Sequence, residues 1–172
     1  MMETKLHKRI HPRLKEYDYS TPGSYFITIC TKDKKCMFWD KNKTDIVGCG
    51  VPDSPQFSLS KYGKIVDEII IKLDDFYKNI HIDNYVVMPN HLHILLSIED
   101  GASRTPRPTK QNSVVSSFVS TLKRFCNKDA GENLWQRSFF DHVIRNQQDF
   151  DEHMVYIQNN PLKWSLDELF IE

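Results

Sequence analysis

Tyr85-Val86-Val87-Met88-Pro89-Asn90-His91-Leu92-His93-Ile94-Leu95-Leu96 is a pair of apolar runs broken by a proline-centred bend. Short runs of β-branched and aliphatic residues read as strands, and a three-residue break between them reads as the turn of an antiparallel hairpin. The strands are expected over Ile80–Val87 and His91–Ile98. In the second of them residues two apart share a face, so His91 and His93 project together while Leu92 points into a core. An isolated His-x-His pair more often marks a solvated sheet face than a site. Here Val86, Val87, Met88, Ile94, Leu95 and Leu96 flank the pair and place it in a core strand. Two parallel imidazoles can ligate one metal, and a further ligand must then come from elsewhere.

Outward from the hairpin, Ser24–Thr31 (SYFITICT) follows the turn signal Thr21-Pro22-Gly23 and reads as a strand. Asp40–Gln56 reads as a loop. Lys61–Lys78 sets Ile65, Ile69, Leu73 and Phe76 at helical spacing, predicting an amphipathic helix with those four inward. Beyond the hairpin, Asp100–Asn112 is a Pro/Gly/basic loop. A second helix starts at Ser113 and runs inward through Phe118, Leu122 and Phe125. Ser138–Ile144 reads as a short strand and Gln148–Asn159 as a third helix, stopped by Pro161. The order β-α-β-β-α-β-α predicts an α+β fold. A ferredoxin-like or RRM-like sandwich fits it, an antiparallel sheet with helices packed on one face and the other face free for a site.

The 172 residues suit one domain, 1–172, with a core from about 19 to 164. No apolar run is long enough to span a membrane, and the N-terminus lacks the apolar stretch of a secretory signal. Cys30, Cys36, Cys49 and Cys126 form no C-x-x-C pair, so reduced thiols in a cytoplasmic protein are the simplest reading. Net charge is zero but unevenly spread: Met1–Lys43 holds ten Lys/Arg against five Asp/Glu, and Phe140–Glu172 holds two against seven. A positive face for phosphates is therefore available.

The third helix carries Met154-Val155-Tyr156-Ile157-Gln158-Asn159-Asn160-Pro161. Tyr156 and Asn160 are one turn apart and share a face. The Asn160 carbonyl oxygen suits Mg²⁺ or Mn²⁺ alongside imidazole, which would leave the Tyr156 hydroxyl beside the metal. A core tyrosine followed by a helix-ending asparagine is the plainer alternative. Taken in order, YVVMPNHLHILL, WQRSFFDHVIRN and YIQNNPLKW resemble the HUH single-tyrosine transposases, most closely the branch of REP-associated tyrosine transposases. The resemblance runs from about Tyr19 to Trp164.

The resemblance implies an RRM-like sandwich, His91 and His93 as the histidines of the HUH motif, Tyr156 as nucleophile and Asn160 completing the metal site. It implies a transposase that cleaves single-stranded or hairpin DNA through a 5′-phosphotyrosine. It also implies a homodimer as one assembly, because some relatives use the tyrosine helix of a neighbouring subunit. Among DNA contacts, Trp135, Phe139 and Phe140 are candidates for stacking on unpaired bases, with two of the three expected in the core. Lys123, Arg124, Arg137 and Arg145, with Arg104, Arg107 and Lys110 in the loop, are candidate phosphate partners. His142 is expected to be structural. A histidine-triad hydrolase would need a further alternate histidine where Leu95 stands. Two readings fit the same residues otherwise: a domesticated or inactive relative that binds hairpin DNA, and an RRM-like binding module without catalysis.

Overall fold

A computed structural model describes residues 20–40, 58–99 and 113–171. Its strands are β1 (Gly23–Cys30), β2 (Ile80–Val87), β3 (His91–Ile98) and β4 (Phe140–Val143), and its α-helices are α1 (Lys61–Phe76), α2 (Val114–Ala130) and α3 (Gln147–Asn159). The strands form one antiparallel sheet in the order β2-β3-β1-β4. The central pair is the most apolar: Ile27 and Ile29 of β1 lie on the same side as Leu92, Ile94 and Leu96 of β3, all fully buried. Helices α1 and α2 cover that side, contributing Val66, Ile70, Leu73, Phe118 and Leu122 to the main core. This is the α+β sandwich expected from the order of elements.

Local chemistry sets where the helices begin and end. Ser60 and Ser113 cap α1 and α2, their hydroxyls accepting from the amides of Gly63 and Ser116. Gly131, at φ 75°, ends α2 in the left-handed region. Gly63 is required for contact: a Cβ there would stand 2.2 Å from the Phe38 carbonyl oxygen. Asn146 caps α3 by accepting from the Asp149 amide, and the Asp149 carboxylate accepts from the amide of Arg145, the residue before the cap.

Two expected core residues lie elsewhere. Phe76 is the last residue of α1 and is 72% exposed, while Val66 and Ile70 take the inward positions. Phe125 lies at the edge of α2 under the Arg124 guanidinium, 5.1 Å from its ring centre, and Cys126 is buried instead. No disulfide joins Cys30, Cys36 or Cys126; Cys49 lies outside the described residues. Among the described residues no helix is long and apolar enough to cross a membrane.

The second face of the sheet carries the histidines. Helix α3 lies across it on a small apolar seam of Phe26, Leu95 and Ile157. The face expected to be free is thus partly roofed by the helix that carries Tyr156.

Candidate functional site

His91 and His93 are buried on that second face, with their Nε2 atoms 2.9 Å apart. Their proton positions follow from their neighbours. Asn90 donates through Nδ2 to the Leu169 carbonyl, which fixes its amide, and its Oδ1 stands 2.8 Å from His91 Nδ1. Since an amide oxygen only accepts, His91 carries its proton on Nδ1 and turns a lone pair from Nε2 toward His93. His93 Nδ1 is 2.8 Å from the Thr28 hydroxyl, which can donate or accept. His93 can therefore hold its proton on Nε2, donating to His91. It can equally hold it on Nδ1, donating to Thr28, with both Nε2 lone pairs turned to a common point. Burial lowers the pKa of His91 to about 4, against a smaller upward pull from Asp167. Burial, with the neighbouring His91 and His153, holds His93 well below its ordinary value.

The tyrosine expected on the third helix reaches this pair. The Tyr156 hydroxyl is 3.5 Å from His93 Nε2, and its ring meets those of His93 and Phe26 edge-on. Tyr156 donates to Asp167 Oδ2 at 3.4 Å, and that same oxygen lies 3.9 Å from His91 Nε2. Burial and the Asp167 charge raise the Tyr156 pKa above the ordinary phenol value, and Asn160 opposes them. Asn160 ends α3 and is buried, and its amide nitrogen makes no hydrogen bond of ordinary geometry. The carboxylate brought to the histidines is that of Asp167, with ligand atoms of His91, His93 and Asp167 all within 4.8 Å of one another. Asp167 lies past Pro161, beyond any periodic pattern, and sequence reasoning missed it.

Asp167 arrives on a tail that folds back over the pair. A short 3₁₀ turn, Pro161–Leu166, brings Trp164 against His91, with ring centres 5.9 Å apart, and against Trp39 and Phe170. The Leu169 amide donates to Asp167 Oδ1, holding the carboxylate in place. His91 is closed off on this side.

The expected DNA contacts divide. Lys123 Nζ donates to the carbonyls of Gln136, Arg137 and Ser138, so its ammonium clamps the segment leading into β4 and is not turned outward for a phosphate. Trp135 is 2% exposed and packed on Phe38, and Phe139 is also buried; neither ring can take a base. Phe140 is 47% exposed. Arg124, Arg137 and Arg145 are all exposed. Arg104, Arg107 and Lys110 lie outside the described residues. His142 joins a second cluster: its Nε2 donates to both oxygens of Asp149, and its ring stacks on His153. His153 Nδ1 donates to the Asp149 carbonyl oxygen, so this network ties β4 to the first turns of α3.

No family model matches the chain. An uncharacterized protein of Haemophilus influenzae is 32% identical over 183 residues, which is 97% of this chain and 96% of that protein. A REP-associated tyrosine transposase of Escherichia coli is 30% identical over 82 residues, spanning 48% of this chain and 44% of that protein. Among solved structures, a REP-associated tyrosine transposase bound to a REP hairpin superposes with a TM-score of 0.58 at 22% identity. That superposition covers 88% of this chain and 73% of the other, and the two share a fold.

Proposed function

We propose that this chain, a member of the tyrosine transposase family by its likeness to the REP-associated tyrosine transposases, is a divalent-metal-dependent transposase acting on single-stranded DNA at a hairpin. Tyr156 is its nucleophile. The observation that carries the reading is the Tyr156 hydroxyl set 3.5 Å from a histidine whose Nε2 faces a second Nε2 at 2.9 Å. Hairpin DNA enters as the substrate class because the related solved transposase is bound to a REP hairpin.

The residues fit a divalent cation. Two nitrogens each about 2.1 Å from one ion and at right angles to each other stand about 3.0 Å apart, close to the separation of the two Nε2 atoms. Each Nδ1 already has an oxygen partner, the usual support for a ligating imidazole. His91, His93 and the Asp167 carboxylate would hold the ion, with Asn160 the further oxygen donor near Tyr156. A bound Mg²⁺ or Mn²⁺ supplies Lewis-acid polarisation of the scissile phosphate and offsets charge gathering on its oxygens.

The chain's own groups do the rest. The Tyr156 oxygen attacks phosphorus, the bond to the 3′ oxygen breaks, and a 3′-OH departs, leaving the 5′-phosphate on the tyrosine. The Tyr156 hydroxyl's bond to Asp167 Oδ2 orients the phenol, and the proton that the phenol loses ends on the departing 3′ oxygen. A second 3′-OH attacking the phosphotyrosine reverses the step and rejoins strands.

The test is a labelled hairpin oligonucleotide with single-stranded flanks, incubated with Mn²⁺ or Mg²⁺ and run on a denaturing gel. The wild type should form a covalent adduct, and Tyr156→Phe should form none. An adduct that survives in Tyr156→Phe removes the nucleophile assignment. Cleavage that survives in both His91→Ala and His93→Ala removes the metal role.

A further inference from the structure

The sheet register places an exposed aromatic in line with the histidines. Thr28 pairs with His93 on one side and with Phe140 on the other, so Phe140, Thr28 and His93 form a single row across β4, β1 and β3. All three point to one face. Thr28 bonds His93 directly, and His142, two residues beyond Phe140, reaches up to α3. Two strand spacings put Phe140 about 10 Å from His93. Phe140 is 47% exposed, although Phe26, the neighbouring aromatic on the same face, is buried under α3.

Cations gather at the same end of the sheet. The turn after β1 carries Lys32, Lys34 and Lys35, all exposed. The Lys32 amide donates to the Leu134 carbonyl, so this turn lies beside the segment that leads into β4. Exposed Arg137 is in that segment, which Lys123 clamps through three carbonyls. An exposed ring at the end of the sheet that also carries these cations suits an unpaired strand: the cations meet phosphates and the ring meets a base.

We propose that Phe140 is a base-stacking platform, on which one unpaired nucleobase of the substrate strand rests while Lys32, Lys34, Lys35 and Arg137 hold the flanking phosphates. This rests on the reading of the protein as one that acts on single-stranded DNA. It adds a subsite about one nucleotide's reach from the histidine pair, on the side away from Trp164. Stacking tolerates any base, so the subsite positions the strand without selecting its sequence.

The probes are oligo(dT) and an abasic oligomer of equal length, which keeps the phosphates and lacks the bases. Affinities are measured by fluorescence anisotropy for wild type, Phe140→Ala and Phe140→Tyr, with thermal melting of each protein as the check on folding. Wild type should prefer oligo(dT), and Phe140→Ala should lose at least about five-fold in oligo(dT) affinity while binding the abasic strand unchanged. Phe140→Tyr should behave as wild type. The proposal is overturned if wild type holds the abasic strand as tightly as oligo(dT), if it binds neither, or if a folded Phe140→Ala keeps the full preference. Adduct formation on Tyr156 is read separately, so loss of that activity with retained stacking would strike the transposase reading alone.

Discussion

Thr28 Oγ1 stands 2.8 Å from Nδ1 of His93, on the neighbouring strand and in the same transverse row. It is the partner of the His93 Nδ1, and as a hydroxyl it can serve either tautomer of His93. The equivalent partner of His91 is an amide oxygen, which permits only one.

Thr28→Val keeps the shape of the side chain and removes that choice. We expect the affinity for Mn²⁺ to fall by about 10–100-fold with the fold preserved, as for other outer partners of ligating histidines. Isothermal titration of Mn²⁺ into both proteins measures it. Equal affinity would mean that the hydroxyl does not orient the ring.

Acidity should unfold the metal-free protein through the buried pair. His91, with a pKa of about 4 in the folded chain and about 6.5 in the unfolded one, binds more protons when unfolded throughout that interval. Its contribution is fully present above about 6.5 and is lost as pH falls toward 4, at up to about 1.4 kcal/mol per pH unit. His93 acts in the same direction. Urea unfolding in chelator between pH 7.5 and 4.5 should show the decline, with a shallower slope for His91→Asn. Identical slopes in the two proteins would remove His91 as the cause.

Lys123→Met should behave as a loss of structure and not of charge. Three carbonyls lose a cationic donor, costing about 1–3 kcal/mol. The salt dependence of oligonucleotide binding should stay as in wild type. Arg137→Gln should instead leave melting unchanged and lower that salt slope by about 0.7. A lowered salt slope in Lys123→Met would return this lysine to the DNA surface.

Trp164→Ala should open the tail. Trp164 packs on His91, Trp39 and Phe170, and without it His91 loses its cover. Carbethoxylation of histidine, followed by peptide mapping, should label His91 several-fold faster than in wild type. An unchanged rate would show that the remaining tail contacts suffice to close the site.

Much of this was legible because periodicity reports local geometry. The alternation in His91–Ile98 set the two imidazoles on one face, and the spacing of Tyr156 and Asn160 put them on one side of a helix. Other features depend on contacts remote in sequence. Trp135 is buried by Phe38, nearly a hundred residues earlier, and Lys123 turns inward because residues 136–138 fold back beside it. Asp167 follows a proline in a stretch without regular structure, so only the return of the tail reveals it. Phe125 and Phe76 occupied helical positions that pattern alone would bury, but Cys126, Val66 and Ile70 fill the core there.

The slim seam beneath α3 has a consequence for how the molecule opens. Phe26, Leu95 and Ile157 anchor the helix, where the opposite face has a far larger apolar cluster. Elements with few buried contacts detach at a lower free energy than the whole domain unfolds. Tyr156 therefore rides on a helix with fewer buried apolar anchors than the helices of the main core, one that can lift while the remaining scaffold stays intact. Amide protons of residues 147–159 should exchange sooner than those of the two central strands. Lifting of α3 is then a motion that separates Tyr156 from His91 and His93.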